Sequence, residues 1–182
     1  MLLVGLLLTP DAVFAEPAPS EAARALAEAM GLGRTALLGM RLAMEDTAKP
    51  GEADKAVREC VKNLESTVFD EVIAIEIEAA LTPDEMKAAQ SFYSTSAGQK
   101  GIEAGVQELY KHAGREPPAP QSPITAAEVR ETNEFAKTSA GDKLLVKQVL
   151  GTQRAVDAMR GQIGKLMSGC MEGRKPADQR RP

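Results

Sequence analysis

Apolar positions recur at steps of three and four along most of the chain, the period of amphipathic helices. Residues 20–30 (SEAARALAEAM) open on Ser20, a capping residue, and continue with strong helix formers. Gly31-Leu32-Gly33 interrupts. Residues 34–48 then resume the pattern with Leu37, Leu38, Met40, Leu42 and Met44, and Lys49-Pro50-Gly51 is a stop and turn. Residues 52–80 read as one long helix, with Val57, Cys60, Val61, Leu64 and Val68 on one face. Its β-branched stretch, Val72 to Ile77, would suit a strand, but no partner strand is visible, so helix is the expectation. GREPPAPQSP (114–123) holds four prolines and predicts an extended, exposed connector. The last helix is expected over 139–171, with apolar residues at 145, 149, 156, 159, 163, 166 and 170. That seam suits the inside of an intramolecular bundle; a coiled-coil homodimer is the alternative, with Gly151, Gly161 and Gly164 against a long rigid zipper. The pattern predicts an all-α fold, an irregular bundle of about six helices.

The first residues differ from the rest. MLLVGLLL is an apolar run too short for a bilayer, which needs about 20 residues. Pro10 breaks it, and Val13-Phe14-Ala15 supplies the small or apolar residues of a cleavage site. Residues 1–15 therefore read as a signal peptide, although no Lys or Arg precedes the run, which leaves either a start upstream of Met1 or, as the alternative to export, a buried core segment. The expectation is a periplasmic or secreted protein without a membrane span after processing. It comprises a single helical domain (16–172) and a disordered basic tail (173–182). Export also changes the reading of the two cysteines. Cys60 shares a face with Val57, Val61 and Leu64, and Cys170 continues the seven-residue stripe of Val149, Val156 and Ile163. Both point to the core. A Cys60–Cys170 disulfide is the favoured reading, with two buried inert thiols as the alternative.

The strongest signal is an internal repeat. LTPDEMKAAQSFYSTSAGQK (81–100) aligns without a gap on ITAAEVRETNEFAKTSAGDK (124–143), defining units 81–123 and 124–166. Identities fall at Thr82/Thr125, Glu85/Glu128, Phe92/Phe135, Thr95/Thr138, Ser96/Ser139, Ala97/Ala140, Gly98/Gly141 and Lys100/Lys143. Thr82, Pro83 and Glu85 form a capping box flanked by Leu81 and Met86 as a hydrophobic staple. Thr125, Glu128, Ile124 and Val129 repeat it. Ser96 with Gln99, and Ser139 with Asp142, have the spacing of a second cap. Ala97-Gly98 and Ala140-Gly141 are small enough for close helix approach. Phe92 and Phe135 are expected to face inward and anchor the turn. Each unit predicts a short helix, a tight turn and a longer helix.

The string Thr82, Glu85, Phe92, Tyr93, Ala97, Gly98, Gln99 and Lys100 resembles the signature of exported bacterial proteins of the domain of unknown function 2059 family. The second copy departs from it: Ala136 stands for the tyrosine and Asp142 for the glutamine. The resemblance implies an exported helical domain and no reaction. Its residues, with Thr125, Glu128, Phe135, Ala140, Gly141 and Lys143, are expected to be structural.

Composition narrows the chemistry. There are 22 basic and 26 acidic side chains, 3% aromatics, no Trp and one histidine. An acidic chain this poor in aromatics has no stacking platform for nucleic acid. A histidine-dependent triad would need His112, which lies where a helix C-terminus favours a cation. Ser96 and Ser139 sit outside any nucleophile elbow, and no glycine-rich phosphate loop is present. Glu71, Glu76, Glu78, Asp84 and Glu85 cluster in sequence and read as a solvated acidic face; they lack the turn of a calcium loop. Met30, Met40, Met44, Met86, Met159, Met167 and Met171 follow the apolar faces, as core filling does. No catalytic residue, cofactor or metal is expected. The leading expectation is a non-enzymatic binding or envelope-organising module, with an unidentified envelope protein or ligand as partner. The alternatives are a carboxylate-dependent envelope hydrolase and a small-molecule or metal binder using methionines.

Overall fold

The computed structural model describes residues 18–45 and 52–172. The expected signal peptide, the turn Lys49-Pro50-Gly51 and the basic tail lie outside the described residues. All regular structure among the described residues is helical: α1 (Glu21–Ala29), α2 (Leu32–Glu45), α3 (Glu52–Lys62), α4 (Asp70–Ala80), α5 (Pro83–Tyr93), α6 (Ser96–His112), α7 (Ala126–Ala136), α8 (Ser139–Gly141) and α9 (Gln153–Glu172). Nine α segments thus replace the expected six or so, because two long predicted helices are broken.

The first break lies in 52–80. α3 stops at Lys62, and a 3-10 turn, Ser66–Phe69, leads into α4. The Arg41 side chain causes the stop. Its guanidinium donates to the carbonyls of Lys62 and Leu64, both at 2.9 Å, and so satisfies acceptors that a continuing helix would bond to its own backbone. The apolar stripe survives the break because Phe69 swings fully into the core. The β-branched stretch is helical, inside α4.

The second break lies in 139–171. α8 passes directly into a π turn, Asp142–Val146, and Gln148 adopts a left-handed φ of 50°. A 3-10 turn, Val149–Gly151, precedes α9. Thr152 accepts from the Ala155 N–H and caps the new helix. Much of the predicted seam packs inward: Cys170 is buried, and Val149, Met159, Ile163 and Leu166 lie partly buried against the core, whereas Val156, also expected on it, is exposed.

The glycine pair after α1 is explained by geometry. Gly31 has φ of +62° and turns the chain between α1 and α2. One hydrophobic cluster runs from Ala23 to Cys170, with Leu26, Val61, Phe69 and Ile77 its largest fully buried members. Each such side chain contributes about 1.5–3 kcal/mol. α1 lies across α4 and α5, and α9 packs on α3 and α4. Cys60 and Cys170 join α3 to the end of α9 at disulfide-bonding distance, with Cα atoms 5.7 Å apart.

Candidate functional site

Both capping boxes form as expected. The Thr82 hydroxyl accepts from the Glu85 N–H while Glu85 accepts from the Thr82 N–H; Thr125 and Glu128 do the same. The second caps sit one residue earlier than the spacing suggests. Thr95 and Thr138, not Ser96 and Ser139, accept from the N–H groups of Gly98 and Gly141. The two serines are thereby freed for the opposite copy.

None of these residues was expected to bridge the two copies. Ser139 donates to Glu85 at 2.5 Å, and Lys143 pairs with the same carboxylate at 2.7 Å. Reciprocally, Ser96 donates to Glu128 at 2.6 Å, and Lys100 pairs with it at 2.8 Å. Each capping glutamate thus also docks the other copy. The lysine beside Glu85, then Ser139, hold its carboxyl down to about 2; Lys100 and Ser96 hold Glu128 down to about 2. Phe92 and Phe135 stack at 4.0 Å between the copies, with Tyr93 edge-on to both. Burial pushes the Tyr93 phenol up. Ala97 and Ala140 are buried, and a side chain on Gly98 or Gly141 would overlap the carbonyl of Phe92 or Phe135.

The staples differ between copies. Leu81 and Met86 are buried, whereas Ile124 and Val129 stand about half exposed. The proline-rich connector is exposed and non-helical, as expected, but pinned. It runs back along α6, where Gln107 donates to the Ala119 carbonyl, Ser122 to Glu103, and Lys100 to the Pro123 carbonyl. His112 lies exposed in the last turn of α6 beside Lys111.

Three clefts lie outside the repeat contact. An apolar groove of about 540 Å³ runs between α2, α4, α6 and α9. Leu32, Ile73, Leu109, Leu150, Met159 and Ile163 supply its walls, and no aromatic side chain lines it. Its charged residues are Glu76, which pairs with Arg154 at 3.0 Å, and Arg160, which pairs with Asp157 at 2.6 Å. A wider cleft of about 890 Å³ between α4 and α9 collects Glu71, Glu76 and Glu78 from the predicted acidic face. Glu78 accepts from the Ser20 N–H there, and Arg154 and Lys165 face the acids. Asp84 and Glu85 belong elsewhere, on α5.

The third cleft, about 580 Å³, is polar and lies at the α1–α2 junction. It holds Glu28, Arg34, Asp70 and Gln99, of which only Gln99 was singled out by the sequence. Burial, then the charge of Glu28, raises the Asp70 carboxyl above its ordinary value. Among the described residues no group of three or more His, Cys, Asp or Glu side chains is placed to hold a metal ion. Nor is any described helix long and apolar enough to cross a membrane. Compared with known proteins, the chain matches no family model, no curated protein and no solved structure.

Proposed function

We propose that this chain is an exported, non-enzymatic binding module whose ligand seat is the apolar groove, and that its occupant is the aliphatic chain of an amphiphile. The groove carries the reading. Its volume lies within the roughly 300–1,000 Å³ of small-molecule sites. Walls of Leu, Ile, Ala and Met, with no ring to stack on, suit a flexible alkyl chain better than a planar ligand. Met159 is the one methionine lining it, a pliable wall of the kind that adapts to chain length. The two ion pairs at its margin leave a polar exit for a headgroup. Membership of the domain of unknown function 2059 family, and processing after Ala15, belong to the same proposal.

The test is titration of the purified chain with a fluorescent fatty-acid probe. Gly39 lies in the groove wall, and a Cβ placed there meets Leu109 at 4.0 Å, an ordinary van der Waals contact. Gly39→Leu fills the groove and should weaken binding at least tenfold without lowering Tm. Unchanged binding in a folded variant would remove the groove as the seat. Export is read separately, from the N-terminal mass of the protein recovered from the periplasm, which should begin at Glu16.

A further inference from the structure

A smaller pocket lies at the repeat contact itself. It holds about 240 Å³ between the α1–α2 turn, α6, α7 and the π turn, and it shares Leu32 and Thr35 with the edge of the apolar groove. Met30, Phe92, Ile102 and Leu145 supply its apolar walls, and among the described residues no charged side chain lines it. Tyr93 reaches it from the end of α5. That side chain is 7% exposed, and its hydroxyl bonds to none of the described residues. Nor is the hydroxyl sealed in the core: among the described residues, the buried side-chain atom left without a partner is on Arg41. The phenol thus opens on the pocket. Phe92 and Phe135 meet its ring edge-on and fix its direction, while Gln99 grips its backbone carbonyl. The two threonine hydroxyls of the lining are already spent, Thr35 donating to the Gly31 carbonyl and Thr132 to that of Glu128. An oriented, unspent donor among apolar walls is what a small-molecule site uses to fix its ligand. Burial keeps this donor protonated at neutral pH.

The floor is open because of two side chains that are not there. Gly101 and Gly105 lie one turn apart on α6, and a Cβ on either would meet nothing within 4 Å. Packing does not require glycine at these positions, and both weaken the helix. What they leave is a flat stretch of backbone. The second copy carries Ala136, Leu144 and Gln148 at the positions equivalent to Tyr93, Gly101 and Gly105, and Leu144 is buried. The phenol and the glycine floor therefore occur together, in the first copy.

We infer that this pocket is a binding site distinct from the apolar groove, and that it takes a small uncharged phenol or aromatic alcohol. Size limits the ligand. A cavity of about 150 Å³ suffices for benzene, so about 240 Å³ holds one substituted ring and little more. Shape favours a ring over an alkyl chain. The glycine floor is flat, Phe92 and Tyr93 offer aromatic contacts, and the Met30 thioether adds a favourable sulfur–ring contact. Charge excludes acids and amines, because a carboxylate or ammonium would lose water and find no opposite charge in the lining. The ligand oxygen accepts from the Tyr93 hydroxyl.

Titration of the isotope-labelled full chain with p-cresol, followed by amide NMR, tests the site. Saturable shifts of the Gly101 and Gly105 amides are expected in the millimolar range. Tyr93→Phe keeps the ring, removes the hydroxyl and should weaken p-cresol about threefold or more. Gly105→Leu fills the pocket from an exposed helical position and should weaken it at least tenfold, which keeps the test decisive should Tyr93→Phe not fold. The anion p-toluate, the same ring with a carboxylate, should bind at least tenfold more weakly than p-cresol. No saturable shift at tens of millimolar p-cresol would overturn the inference. So would native affinity in either folded variant, or equal binding of p-toluate. Gly39→Leu, which fills the groove, should leave p-cresol binding unchanged; its loss there would assign p-cresol to the groove and remove the second site.

Discussion

Removing the Cys60–Cys170 link isolates one contribution to stability. The bond spans 110 residues of sequence and encloses α4 to α8 with the connector. In the chain-entropy model, closing a loop of that length in the unfolded chain contributes about 4.8 kcal/mol. One kcal/mol moves the Tm of a chain of this size by about 2–4 °C, so the expected loss is about 10–19 °C. The structure says where the loss acts: α9 packs mainly on α3 and α4, and many of its residues are exposed. Thermal unfolding followed by circular dichroism should compare oxidised protein, the same protein reduced, and Cys60→Ala/Cys170→Ala. Mass spectrometry confirms each thiol state. Reduction leaves the sulfur atoms in the core while opening the loop, so it separates cross-linking from packing. If fully reduced protein melts within about 3 °C of the oxidised form, the loop-closure reasoning is wrong.

Other consequences are equally open to measurement. Gly98→Ala and Gly141→Ala should lower the urea midpoint clearly, because the new methyl meets a backbone carbonyl; Gly161→Ala and Gly164→Ala, with open space around them, should raise stability by up to about 1 kcal/mol each. Matching midpoints in the two pairs would contradict the packing account. Phe135→Ala removes the stacked partner of Phe92 and should cost about 3–5 kcal/mol in equilibrium unfolding; a cost under 1 kcal/mol would mean the stack is peripheral. Glu85 and Glu128 have folded pKa values below their unfolded ones, so their contribution is complete above about pH 4.5 and is lost as pH falls toward 2. Asp70 runs the other way, its raised carboxyl taking up a proton more readily in the folded chain. Acid titration of native protein against Glu85→Gln/Glu128→Gln should show a flatter curve for the variant, and identical curves would refute the linkage.

Where the sequence was readable, local physics was sufficient. Thr82 with Glu85, and Thr125 with Glu128, form capping boxes because both partners lie within one helical turn. The prolines after Gly114 forbid helix whatever surrounds them. The broken helices were unreadable because their causes are distant. Arg41 ends α3 from another helix, and the apolar spacing of 52–80 carries no trace of it. Likewise, 139–171 has helical periodicity on both sides of Gln148, and periodicity alone does not reveal a left-handed residue between. The shift from Ser96 to Thr95 as cap has a simpler reason. Two adjacent hydroxyls compete for one role, and tertiary structure draws Ser96 to Glu128. The repeated Ser, Lys and Glu identities were a usable signal, since invariance between copies beyond the cap itself calls for a second partner. The polar cleft gave almost none, because Glu28, Arg34 and Asp70 come from three helices and meet only through the Gly31–Gly33 turn.

The exchange between Glu85 and Glu128 has the form of a two-fold contact. A contact in which residue i of one unit meets residue j of the other, and j meets i, is the signature of a two-fold homodimer. Here both halves lie on one polypeptide. In a homodimer every substitution appears twice, so a change that improves one surface is imposed on its twin. On a single polypeptide that constraint is absent. Tyr93 and Ala136 have parted, as have Gln99, which reaches the polar cleft, and Asp142, which binds Lys147 at 2.6 Å instead. The clamp is the symmetric part of the molecule, and the positions where the two units differ are where each half is free to make contacts of its own.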